Sequence, residues 1–185
     1  MTAFTTFRNR ALASTAAAVL LAPAALAVED TEGKWLADLR LRYETVDDAN
    51  CTACAGQDAT AFTLRARLGY DTGTWQGFGG LIEIDQIWSL GDEDYNSTRN
   101  GQTLYPVVAD PELTQLNRLQ ISYGGSFDTV FTLGRQRLAF GNQRFIGNVG
   151  WRQHEQTFDA FSIVNTSVEG LTLTYAYIAR VNRIF

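Results

Sequence analysis

The sequence predicts an all-β transmembrane protein, an antiparallel up-and-down β-barrel. Three features lead there: stretches of about ten residues with alternating polarity, aromatic side chains at their ends, and an amino terminus built for export.

The export signal comes first along the chain. Arg8 and Arg10 form a short basic region, and Ala11 to Leu26 is an apolar run interrupted by Ser14, Thr15 and Pro23. It ends in Ala25-Leu26-Ala27, a small-x-small cleavage site, so residues 1–27 read as a signal peptide cut after Ala27. The run falls short of the roughly 20 apolar residues that span a bilayer as a helix. Residues 28–185 contain no other run approaching it. A membrane protein of this composition must cross with strands, whose backbone groups are satisfied only when every edge is paired.

The first strand is expected at 34–44. Trp35, Ala37, Leu39, Leu41 and Tyr43 share one face, and Leu36, Asp38, Arg40, Arg42 and Glu44 the other. A second, at 61–71, sets Phe62, Leu64, Ala66, Leu68 and Tyr70 against Thr63, Arg65, Arg67 and Gly69. Period-two alternation marks strands whose faces meet different surroundings: lipid and a polar lumen in a barrel, core and water in a soluble sandwich. The aromatics Trp35, Tyr43, Tyr70, Trp75, Trp88, Tyr123, Tyr175 and Tyr177 at strand ends favour the barrel, as do the export signal and connections that alternate short and long. Further strands are expected at 75–88, 115–123, 129–138, 157–165 and 171–180. Tight turns fall at Asp71-Thr72-Gly73, at Gly124 to Asp128 and at Ser167-Val168-Glu169-Gly170; long connections run over 46–60, 89–114 and about 140–156. Bacterial barrels usually have an even number of strands. Seven therefore suggest a truncated barrel, with 28–185 as its N-terminal part.

Charge narrows the function classes. Beyond Ala27 there are thirteen basic and twenty acidic residues, a net charge of −7, and Lys34 is the only lysine. An acidic chain without a continuous basic face is not a nucleic-acid binder. Its arginines are instead gathered in a few segments. Arg40, Arg42, Arg65 and Arg67 lie on the polar faces of neighbouring strands, and Arg118 sits similarly beside Gln120 and Ser122. Guanidinium groups stay charged and match carboxylates, so these five are the candidate anion-binding residues of a lumen. The alternative is a wall network in which Asp38, Glu44, Glu83 and Asp85 neutralise them. Arg135 and Arg137 fall by alternation on the Phe131/Leu133 face, which requires either a bulge or a place at the membrane interface.

Leu133 to Gln156 combines four glycines with Arg144, Trp151, Arg152 and the only histidine, His154, as a loop that folds into the lumen and narrows it would. His154 has no nucleophile motif and no companion metal ligands, so neither catalysis nor a cofactor is expected. Asp92, Asp94 and Asn96 form a weak calcium candidate lacking the EF-hand spacing, and a solvated loop is the simpler reading. Cys51 and Cys54, in an exported chain, favour a loop disulfide.

The stretches LRLRYE, FTLRARLGY, GDEDYNSTRNGQTLYPVVADPE, LGRQR, NQRFIGNVGWRQHEQTFDA and LTLTYAYIARVNRIF resemble the alginate-export family of outer-membrane porins. The resemblance implies a monomeric barrel of about 16–18 strands with an arginine-rich lumen passing anionic polysaccharide. It makes Arg40, Arg42, Arg65, Arg67 and Arg118 the candidates for contacting carboxylates, and Arg144 and Arg152 part of the narrowing. The expected location is the outer membrane of a Gram-negative cell. Expected partners are the lipid bilayer and lipopolysaccharide, the barrel-assembly machinery, and small anions or anionic polysaccharide. A non-conducting barrel that anchors adhesive loops is the alternative.

Overall fold

The structure is a computed structural model describing residues 31–48, 50–54, 57–125 and 127–184. The expected signal peptide, residues 1–27, lies outside the described residues, as do Ser126 of the second expected turn and the terminal Phe185.

Alternating polarity becomes seven strands: β1 (Lys34–Val46), β2 (Ala59–Trp75), β3 (Phe78–Ser89), β4 (Thr114–Gly125), β5 (Thr129–Gln136), β6 (Thr157–Val168) and β7 (Leu171–Asn182). Each pairs antiparallel with the next in sequence, giving an open half-barrel with β1 and β7 as its edges. No helix occurs among the described residues. The three long connections, here L1 (47–58), L2 (90–113) and L3 (137–156), lie at one end of the sheet, and the short turns lie at the other.

Register puts like faces together. Leu39 pairs with Ala66 and Leu41 with Leu64, and this apolar face continues through Ile82, Ile84, Leu119, Ile121 and Leu133, all substantially exposed. Trp35 beside Tyr70 and Phe78 beside Tyr123 form ring pairs near the short-turn end, while Tyr43 and Phe62 meet near the long-loop end. The concave face carries the charge: Arg40 stands opposite Arg65, Asp38 opposite Arg67, Arg67 opposite Asp85 and Glu83 opposite Arg118.

Beyond strand ends that shift by a few residues, two differences from the sequence reading bear on the wall. Asp71-Thr72-Gly73 is not the first reversal. β2 continues to Trp75 through a register shift between Asp71 and Thr74, and the chain reverses at Gln76-Gly77, where φ is 49° and 82°. Two consecutive positive φ values suit a two-residue hairpin turn. The Asp-Thr-Gly cluster serves the bulge instead: the Asp71 carboxylate accepts from the Gly73 N–H, and the Thr72 hydroxyl accepts from the Gly80 N–H.

The second difference concerns β5, which ends at Gln136 and not at Leu138. Its register to β4 and β6 is unbroken through Arg135, so Arg135 stays on the outer face near the long-loop end. There it donates to Asp159 and to the Leu116 carbonyl. The bulge lies in the neighbouring strand. Glu83 pairs with Arg118 and Ile84 with Leu116, leaving Asn117 as the extra residue, turned with Arg118 toward the concave side. Arg137, beyond the strand, also turns inward.

Candidate functional site

The concave wall of β1–β4 is an ion-pair network. Arg67 donates from Nε and Nη2 to the two carboxylate oxygens of Asp85, at 2.6 and 2.8 Å. Arg118 grips Glu83 in the same way at 3.0 and 2.7 Å. Arg42 bridges Glu44 at 2.6 Å and Asp110 of L2 at 2.8 Å. Arg65 pairs with Asp38 and donates to the Gln153 carbonyl at 3.1 Å. Arg40, the fifth expected anion-binding residue, is held by no carboxylate among the described residues. Its Nη1 donates to the carbonyls of Gly150 and Arg152, at 2.9 and 3.0 Å. Adding Arg137 and Arg152, seven guanidinium groups face the six carboxylates of Asp38, Glu44, Glu83, Asp85, Asp110 and Glu155. Such pairing lets so many charges share one wall, since a buried unpaired charge is costly.

L3 lies across this wall. Gln153, His154 and Glu155 are almost fully buried. The Gln153 side-chain amide donates to the carbonyl and hydroxyl of Thr63 on β2 and to the Arg40 carbonyl on β1, while its backbone N–H donates to Asp110. Glu155 is the hub. It accepts from Arg137 (Nε, 2.6 Å), Arg67 (3.1 Å), Asn117 (2.5 Å) and Asn148 (2.9 Å). Burial alone would raise its pKa, but the Arg137 hydrogen bonds and the Arg67 charge outweigh that and hold it at about 2.

His154 packs beside Glu155 with Nε2 at 3.2 Å from the Pro111 carbonyl. A carbonyl only accepts, so Nε2 carries the proton. Burial and the nearby arginines push the pKa down to about 4, leaving the ring neutral at pH 7. The first half of L3 is anchored by different chemistry. Leu138, Phe158 and Ala160 form a buried cluster, with Ile146 of the loop and Ala176 and Ile178 of β7 packed on it.

L2 also folds inward, burying Tyr95 and Val108 against Ala59 and Ala61 of β2. Cys51 and Cys54 of L1 are disulfide-bonded. In the calcium candidate, Asp94 accepts from the Tyr105 hydroxyl and the Asn96 side chain from the Thr98 N–H, while Asp92 makes no side-chain bond among the described residues. No group of three or more His, Cys, Asp or Glu placed to hold a metal occurs among those residues.

Arg42, Arg65, Arg67 and Arg118 thus come together in one network, Arg40 and Arg152 join it through L3, and Arg144 stands apart on the loop. Sequence reasoning missed Asp110, Asn117, Gln153 and Glu155. Glu155 had a signal, being the only acidic residue between Arg137 and Gln156 in a segment rich in arginine.

An apolar outer face, a charged concave face, strands that follow one another up and down, and loops folded over the inside define the wall of an outer-membrane-type β-barrel. Residues 35–182, about four-fifths of the chain, match the family described as Alginate export, and the chain belongs to that family. Membership carries an outer-membrane, porin-like transport role. No curated protein matches the chain.

Proposed function

We propose that this chain forms part of the wall of an outer-membrane channel through which anionic solutes, including carboxylated oligo- and polysaccharides, pass down their gradient. In this reading the seven strands belong to a larger closed barrel, the concave face is its lumen, and the export signal delivers the protein across the inner membrane. The observation that carries the reading is L3, docked over a charged concave wall by the buried Gln153-His154-Glu155 segment. A loop fixed inside a barrel narrows the route and brings its side chains into the path of the solute.

Selectivity then comes from a small surplus of positive charge. The strand arginines are mostly committed to carboxylates, so their field on a passing anion is partly cancelled. Arg40, without a carboxylate partner among the described residues, and Arg144 on the loop contribute most. Binding at several such sites must stay weak enough for release. Adhesive function through projecting loops gains no support from loops that fold inward.

The test is a planar-bilayer recording of the full-length protein under a potassium chloride gradient. The reading expects discrete channels with an anion-favouring reversal potential. A folded, inserted protein that conducts nothing would refute it.

A further inference from the structure

Two large rings of L3 stay open to solvent beside the wall network. Phe145 is 91% exposed and Trp151 57% exposed. On the outer face such exposure meets lipid. L3, however, is pinned to the inside, by Ile146 in the apolar cluster and by the Gly150 and Arg152 carbonyls on Arg40. An exposed aromatic ring on a water-facing surface offers a face on which the ring of a ligand can stack.

Each ring also carries a cation. The Arg144 guanidinium lies 5.7 Å from the Phe145 centroid, and those of Arg152 and Arg42 lie 4.2 and 5.5 Å from the Trp151 centroid. Arg144 forms no ion pair among the described residues. A guanidinium stacked on a ring offers its flat face to the ring and keeps its in-plane N–H donors for a carboxylate.

We infer that Phe145 and Trp151 are stacking platforms for the pyranose rings of a carboxylated saccharide, with Arg144 and Arg152 beside them to receive its carboxylates. The inference rests on the channel reading above and adds to it recognition of the ring. The negative face of an aromatic ring attracts the C–H groups on a sugar's flat side, so the pair selects a uronate over an anion of equal charge without a ring. Arg152 shares one donor with Glu44 at 3.2 Å, which leaves Arg144 the more available of the two.

The experiment compares two blockers of the full-length channel in planar bilayers: an alginate oligosaccharide hexamer, and hexaglutamate, which has carboxylates but no pyranose. The saccharide should block the unsubstituted channel more tightly than the peptide. Phe145→Leu combined with Trp151→Leu, which keeps apolar bulk, should erase roughly tenfold of that preference. Equal block by the two probes in the unsubstituted channel would overturn the inference alone, as would a preference retained in the double variant. An unsubstituted channel that neither probe blocks would overturn the carboxylated-saccharide reading first, and this inference with it.

Discussion

The two halves of the concave face hold the same loop by opposite means. Against β1–β4, L3 is fixed by charge and hydrogen bonds, with Glu155 accepting from Arg67 of β2 and Asn117 of β4, and Gln153 reaching Thr63 and Arg40. Against β6–β7 it is fixed by packing, with Leu138 and Ile146 on Phe158, Ala160, Ala176 and Ile178. The polar anchor specifies position, because each donor has one geometry that satisfies it. The apolar anchor is non-directional and tolerates adjustment. A loop held in both ways can stay registered on the charged wall while Phe145 and Trp151 remain exposed.

The largest expected effect strikes the polar anchor. Glu155→Ala removes the buried acceptor common to Arg67, Arg137, Asn117 and Asn148, leaving Arg137 only the more distant Glu83 at 3.9 Å, at a cost of about 3–5 kcal/mol for a broken buried pair. Thermal unfolding in detergent should show the loss, and trypsin should cut the folded protein at Arg144 or Arg152. A variant as stable and as protease-resistant as the parent would assign the anchoring to the apolar half. Leu138→Ala comes next, at about 2–3 kcal/mol, since a nearly buried leucine is truncated against a cluster that can partly collapse. This loss should vary little with pH.

The polar anchor, by contrast, should respond to acid in two stages. His154 has its folded pKa depressed to about 4 against about 6.5 unfolded, so between those values the unfolded chain binds a proton that the folded one refuses, and stability falls as pH drops. Glu155, held at about 2 against 4.5, contributes stability above pH 4.5 that is lost as pH falls toward 2. Unfolding midpoints recorded from pH 7 to 3 should lose the upper stage in His154→Gln and keep the lower one. An unchanged upper stage would move its origin to another group.

Much of the wall was legible in the sequence because strand periodicity is local. The alternation of Trp35 to Glu44 and of Phe62 to Tyr70 assigns faces without reference to anything distant, and observed strand ends lie within a few residues of those read from it. Where local signals compete, the reading slipped. Asp71-Thr72-Gly73 has turn chemistry, yet the same chemistry closes a bulge, and only the positive φ values at Gln76 and Gly77 identify the reversal. Arg135 looked misplaced because its partners, Asp159 and the Leu116 carbonyl beside the β4 bulge, lie on other strands.

The site was the least legible part. The arginines on β1, β2 and β4 were visible as a set, but their neutralisation by Asp110 and Glu155 depends on loops returning from far along the chain. Arg40 meets Gly150 and Arg152 across more than a hundred residues. Nothing in a local pattern encodes such a contact.

The central claim, that L3 lies inside the conducting path, is tested most directly by cysteine accessibility. Cys51 and Cys54 are bonded to each other, so Phe145→Cys introduces the only free thiol among the described residues. The full-length variant is treated, while conducting in a planar bilayer, with a small anionic thiosulfonate reagent. The account predicts a stepwise fall in single-channel current as the thiol is modified, because the added charge and bulk sit in the lumen. Complete modification, verified by mass, with the current unchanged would place L3 outside the path and contradict the account.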